Sequence, residues 1–178
     1  CLVVGTLVVN NQVKYSKDRE RGYNTARLIT VNTNAKDFKG KYDVLYDALM
    51  ATGVVDAMSQ SSSPLTEVNS SNGGFSWKGK DPGLVTNFVT NWVTPGFGET
   101  VQWEMLDGRS FSKNRRTDEK AIICNQAAVD FMSLDNPIGH AINWYGETYH
   151  IIGLVEDLLI ESPYQSVGPS VYLMSNSG

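Results

Sequence analysis

The sequence predicts a mixed α/β (α+β) fold arranged as two lobes, and three observations carry that expectation. Short β-branched runs alternate with amphipathic stretches through the first two thirds of the chain, the pattern of βαβ units. The last third changes to closely spaced strands joined by turn signals, the pattern of hairpins. The chain has 178 residues, of which 41% are apolar and 19% charged. A chain of that size buries roughly 70% of its unfolded surface without disulfide staples.

Composition removes several classes. A formal net charge of -4 and a pI near 5.1 do not supply the basic face of a nucleic-acid binder. The apolar fraction excludes a disordered chain. Two cysteines and two histidines are too few for a disulfide scaffold or a Cys/His zinc site.

The chain starts at Cys1, and Cys1 to Val9 (CLVVGTLVV) is uncharged and mostly apolar. Nine helical residues rise only about 14 Å, so this stretch does not span a bilayer alone. A buried strand, the end of a membrane helix and an acylated lipoprotein start all fit it. Asn10 to Arg21 is rich in Lys, Arg, Asp, Glu and Gln and reads as a polar helix.

Leu28 to Val31 reads as a strand, and Asp37 to Thr52 as a helix with Tyr42, Leu45, Tyr46 and Leu49 on one face. Gly53 is placed to stop that helix, and Val54 to Met58 to follow as a strand, completing a βαβ-like unit over 28–58. Ser59 to Asn72 is a Ser/Asn-rich loop. Phe75 to Lys78 is a short strand closed by Asp81-Pro82-Gly83, and Leu84 to Thr94 alternates as a long strand. Phe97 to Leu106 reads as a short helix ended by Asp107-Gly108, suggesting a second βαβ-like unit.

In the last third, Ala121 to Cys124 is a strand, Gln126 to Met132 a helix and Asn136-Pro137 with Gly139 a turn. Ala141 to Trp144 and Thr148 to Val155 form a hairpin through Tyr145-Gly146-Glu147. Ser170 to Met174 is the final strand, and Ser175 to Gly178 a polar stop.

Local matches to catalytic motifs fail on inspection. Gly74 and Gly79-Lys80 mimic the start of a phosphate-binding loop, but Asp81 stands where Ser or Thr holds magnesium, and Pro82-Gly83 opens no helix. Ser110-Phe111-Ser112-Lys113 fits S-x-x-K without the companion motifs of that serine nucleophile. His140 and His150 have no Asp, Glu or Cys at ligand spacing. Glu156 and Asp157 are strand neighbours and point to opposite faces, so Asp157 reads as a turn-forming or strand-capping carboxylate. Cys124 reads as a small buried residue.

Five ordered segments nonetheless form a pattern: Gln12 and Tyr15, with Arg21-Gly22-Tyr23-Asn24 leading to Arg27-Leu28; Leu106 to Phe111 (LDGRSF); Ala121 to Asn125 with the helix Gln126 to Met132; Asn136-Pro137-Ile138-Gly139; and Tyr149 to Asp157 (YHIIGLVED). In this order they resemble the MacB-like periplasmic core domain of FtsX-type ABC transporter permeases, over about residues 10 to 174. Ser110 departs from that pattern, standing where an acidic residue is usual, and Glu156 sits at a variable position.

The resemblance implies membrane helices on both sides of the domain, a cognate cytoplasmic ABC ATPase, and a second permease copy in the full complex. It implies a site at the periplasmic face of the bacterial inner membrane and a role in transmitting ATPase-driven motion. No catalytic residue, cofactor, metal or nucleic acid is implied. Residues 1–21 would be the end of a membrane helix and its stem, 22–111 with 161–178 a porter-like lobe, and 112–160 an inserted second lobe. The matched Gly22, Tyr23, Gly108, Arg109, Phe111, Asn125, Asn136, Pro137, Gly139, Gly153 and Asp157 are expected to serve as scaffold. Gly22 and Gly108 are expected at helix exits and Gly153 at a bulge or close approach. An extracytoplasmic ligand-binding or sensor domain, with lipid anchoring through Cys1 as one form of it, is the alternative.

Overall fold

The computed structural model describes residues 21–32, 40–160 and 166–175. Of the membrane-helix end and stem expected over residues 1–21, residues 1–20 lie outside the described residues. Among the described residues, eight strands share one sheet: β1 (Ser71–Asn72), β2 (Ser76–Trp77), β3 (Phe88–Val93), β4 (Met105–Gly108), β5 (Ala121–Asn125), β6 (Ala141–Trp144), β7 (Glu147–Val155) and β8 (Ser170–Met174). Their order is β1-β3-β8-β5-β7-β6-β2, with β4 pairing β7 beyond the end of β6. Among the described residues three α-helices accompany them, α1 (Tyr42–Met50), α2 (Phe97–Val101) and α3 (Gln126–Met132), with a 3-10 turn at Arg116–Lys120.

The strand β5, AIICN, is buried along its whole length because it is covered on both faces. Ile122 and Cys124 point into one core with Ile142, Ile151, Leu154, Val171 and Leu173, closed by Ala128, Val129 and Met132 of α3. Ala121 and Ile123 point into a second core with Val93, Val155 and Tyr172, covered by Phe97 and Val101 of α2. The sheet curls over the first core: Trp77 of β2 and Phe88 of β3, far apart in strand order, have ring centroids 6.2 Å apart. Phe75 stacks on Trp144 at 4.8 Å, and the Trp144 indole N–H donates to the Gly73 carbonyl at 3.0 Å.

Parallel pairing occurs between β3 and β8 and between β5 and β7. The β5–α3–β7 crossover, with β6 returning antiparallel to β7, builds the hairpin-rich part expected from the sequence. Tyr145 and Gly146 both have positive φ (49° and 80°), the two-residue turn that matches strand twist.

The expected βαβ unit over 28–58 does not form. Its helix is present as α1, but Leu28–Val31 and Val54–Met58 are not strands, and Ile29 and Val54 are each 84% exposed. β-branched residues favour strands only where a partner strand exists to pack against. The helix expected over 97–106 stops at Val101, where Gln102 turns left-handed (φ 53°), and Met105–Gly108 instead pairs with β7 as β4. Gly108 is therefore a strand residue and not a helix exit. The second expected βαβ unit also fails, because β4 runs antiparallel to β7 and does not pair with β3.

Candidate functional site

The residues singled out in the sequence gather in two places, one around Asp157 and one around Gly153. At the first, residues 21–24 lie as a strap along 157–159. The Leu159 N–H donates to the Arg21 carbonyl at 2.9 Å, and the Asn24 N–H to the Val101 carbonyl at 3.0 Å. Tyr23 donates its hydroxyl to the Leu65 carbonyl at 3.2 Å. Gly22 has φ +71°, and a Cβ there would stand 2.5 Å from the Asp157 carbonyl oxygen. Only glycine combines that dihedral with that approach.

Asp157 continues the junction inward. Its Oδ1 accepts the Ala127 N–H at 2.9 Å, satisfying a free donor in the first turn of α3. Asn125 is the N-cap of the same helix, accepting the Ala128 N–H at 2.9 Å. The same Oδ1 accepts the Ser170 N–H at 2.8 Å, and Nδ2 donates to the Gly168 carbonyl at 3.1 Å. One wholly buried amide thus joins the end of β5, the start of α3 and the start of β8.

At the second place, Gly153 faces a register shift between Ile122 and Ile123, and a Cβ on it would stand 2.5 Å from the Arg109 carbonyl oxygen. Gly108, at φ +73°, approaches the Ile152 carbonyl equally closely. The Gly139 N–H donates to the Ile151 carbonyl at 2.7 Å and the His140 N–H to the Pro137 carbonyl at 3.0 Å, fixing the turn into β6. Gly108, Arg109, Ile138, Gly139, His150 and Ile152 line a shallow open groove here. Phe111 is buried in the second core, Pro137 is buried, and Asn136 is exposed at the turn.

Arg109 reaches over to Asp118, a residue that sequence reasoning missed. Both guanidinium nitrogens bond the carboxylate, at 2.8 and 2.7 Å, and the Ser112 N–H adds a bond at 2.9 Å. The Arg109 bond holds the Asp118 carboxyl below its usual range against the opposing effect of burial, and raises the guanidinium in turn. Asp118 stands in the charged run KNRRTDEK, to which sequence reasoning assigns no role. The signal available was its place nine residues after Arg109.

The remaining candidates have local roles. Lys80 donates to the Phe75 carbonyl at 2.9 Å and lies over the Trp77 ring, so its ammonium is engaged at the base of a turn. Register pairs Ala141 with His150, and strand alternation then puts His140 on the other face of the sheet. Among the described residues no group of three His, Cys, Asp or Glu side chains is placed to hold a metal ion. Cys124 is buried, and desolvation pushes its thiol up to about 12.

A model of the MacB-like periplasmic core domain matches residues 1–175. The chain belongs to this family. The periplasmic region of MacB from Actinobacillus actinomycetemcomitans has the same fold, with a TM-score of 0.54 and 13% identity over 88% of this chain and 68% of that one. A domain of a protein described as a permease from Porphyromonas gingivalis is similar at TM-score 0.47, with 14% identity, covering 66% of this chain and 49% of that one. The extracellular domain of the ABC-type transporter YknZ from Gram-positive bacteria is similar at TM-score 0.41, with 16% identity, covering 62% and 58%. No match was found among curated proteins.

The MacB-like core domain is a periplasmic module of ABC transporter permeases. Among the described residues no helix is long and apolar enough to cross a membrane.

Proposed function

We propose that this MacB-like core domain transmits ATPase-driven motion from membrane helices to a periplasmic substrate or partner, with no chemistry of its own. In this scheme helices of the parent permease flank the domain at the bacterial inner membrane. A cognate cytoplasmic ABC ATPase supplies the work, and a second permease copy faces the first. Closure of the ATPase would displace the stems, and the domains would follow as rigid bodies.

The observation that carries this proposal is the strap at 21–24, bonded through its backbone to both 101 and 159. A displacement of what precedes Arg21 would pull on the second core instead of on a free loop. The scaffold residues support the same reading, because close glycine contacts at Gly22, Gly108 and Gly153 leave little room for slippage. In this proposal the porter-like segments 22–111 and 161–178 and the segment 112–160 move together, since β5 and β7 share a sheet with β3 and β8.

The test uses the parent permease with its ATPase in lipid nanodiscs. Spin labels are placed at Val85, which is exposed, in both copies. The distance between labels should change when ATP is added to a hydrolysis-deficient ATPase and return when nucleotide is removed. An unchanged distance, while the wild-type complex hydrolyses ATP, would reject transmission by this domain.

A further inference from the structure

We infer that Asp157 couples the docking of the 21–24 strap to the capping of α3 and the anchoring of β8, so that a force on the strap is felt across the sheet. Its use as a relay rests on the function proposed above; the coupling itself does not.

Two parts of Asp157 do different work. Its backbone carbonyl forms the floor on which Gly22 sits, at a distance that excludes any Cβ. Two residues on, the Leu159 N–H holds the Arg21 carbonyl. Its side chain reaches in the other direction, to the Ala127 N–H of α3. A strap that lifts or shifts therefore moves the backbone from which the capping carboxylate projects.

From α3 the connection continues without a gap. Ala128, one residue after Ala127, donates to Asn125, and Asn125 also binds the Ser170 N–H and the Gly168 carbonyl. Asn125 is wholly buried, and no solvent substitutes for its partners. The first residues of β8 thus share one amide with the cap of α3. Because α3 has only seven residues, its first-turn donors are a large part of its hydrogen bonding. Coupling of this kind is reciprocal: whatever the strap does to the cap, loss of the cap does to the strap.

The experiment is amide hydrogen exchange on the purified chain, read residue by residue. Gly22→Ala should speed exchange at Ala127, Ala128 and Ser170 by roughly fivefold, the effect of weakening one capping bond. Tyr23→Phe, which removes the bond to Leu65 on the same strap but leaves the Asp157 contact, should speed those three amides less than Gly22→Ala does. Asp157→Ala should speed exchange at Leu159 and Asn24, the reverse effect, and carries the test alone if Gly22→Ala fails to fold.

Faster exchange in Gly22→Ala confined to 22–24 and 157–159 would overturn the coupling. An even rise that includes Ile122 and Ile123 would also overturn it, since that is global destabilisation. Neither result would alter the label distances expected in the nanodisc experiment, so the two proposals fail separately.

Discussion

Arg109 grips Asp118 with two parallel bonds, Nη1 to Oδ2 at 2.8 Å and Nη2 to Oδ1 at 2.7 Å, although the Asp118 side chain is 0% exposed. Arg109 itself is partly exposed, so the pair is anchored at the wall of the second core and not at its centre. Removing the guanidinium leaves a buried carboxylate with the Ser112 N–H and a weaker contact from Thr117. Arg109→Ala should cost about 2–4 kcal/mol at pH 7, discounted from a fully buried pair for the exposure of the arginine.

The pH response gives that prediction a sign. The Asp118 carboxyl titrates lower in the folded chain than in the unfolded one, first through the Arg109 bond. Its stabilising effect is complete above the unfolded value near about 4 and is lost as pH falls through the lower folded value. In Arg109→Ala the guanidinium's lowering is gone and burial is opposed only by the Ser112 N–H and Arg115, so the carboxyl titrates higher than in the parent chain and acid relieves the variant. Urea unfolding followed by tryptophan fluorescence should show the gap between the two proteins narrowing from pH 7 to pH 4. A constant gap would contradict this account of the pair.

Gly108 and Gly139 line the same groove and both have positive φ, +73° and +82°, but their surroundings differ. A Cβ at Gly108 would stand 2.3 Å from the Ile152 carbonyl and 2.8 Å from Ile138 Cδ1, while a Cβ at Gly139 meets nothing within 4 Å. Gly139→Ala should cost only backbone strain, about 1 kcal/mol. Gly108→Ala adds overpacking against a carbonyl that β7 holds in place, for a total on the order of 3 kcal/mol. Equal losses in chemical denaturation would show that the β4–β7 contact yields more easily than its geometry implies.

The part of the fold that local chemistry specifies was legible in the sequence. The segments Gln126–Met132, Ala141–Trp144 and Ser170–Met174 occur with the predicted bounds, because each combines a clean period with a cap or turn signal beside it. The failures share one physical cause: strand pairing is a property of distant residues. Leu28–Val31 has the composition of a strand and no partner strand among the described residues, whereas Met105–Gly108 reads as the end of a helix and is claimed by β7. The Ser/Asn-rich loop likewise turns out to be bound to β3, with Ser62 and Ser63 bonding Asn91 and Asn72 bonding Thr90. Within the candidate site, Asp157 reads in the sequence as a turn-forming or strand-capping carboxylate, whereas its side chain caps the helix α3. Its partner Ala127 was not legible, since thirty residues separate them.

Tyr145 occupies the first position of the β6–β7 turn at φ +49°, a conformation that a bulky side chain adopts at a cost. Its ring is exposed and touches Trp144, with centroids 5.1 Å apart, which offsets part of that cost. Tyr145→Asn supplies the residue that two-residue hairpins favour before glycine. The variant should be more stable by about 0.5 kcal/mol, seen as a small rise in Tm. A fall in Tm would mean that the ring contact outweighs the backbone strain.

Cys124 lies in the middle strand with its thiol surrounded by the first core, and burial alone pushes that thiol up to about 12. The unfolded thiol ionises near about 8.5, so this group stabilises the fold fully below that pH and progressively less as pH rises through it. In a Cys1→Ser background, the folded chain should therefore not react with a disulfide reagent at pH 8 until urea unfolds it. Between pH 8.5 and pH 10 the stability should fall with pH, and Cys124→Ala should reduce that slope while costing about 1 kcal/mol at pH 7. Cys124→Ser should be the worse replacement, by roughly 1–2 kcal/mol, because its hydroxyl meets apolar neighbours on both sides. Rapid labelling of the folded chain would show that the first core opens to solvent far more readily than an interior packed by Ile122, Ile151 and Leu173 permits.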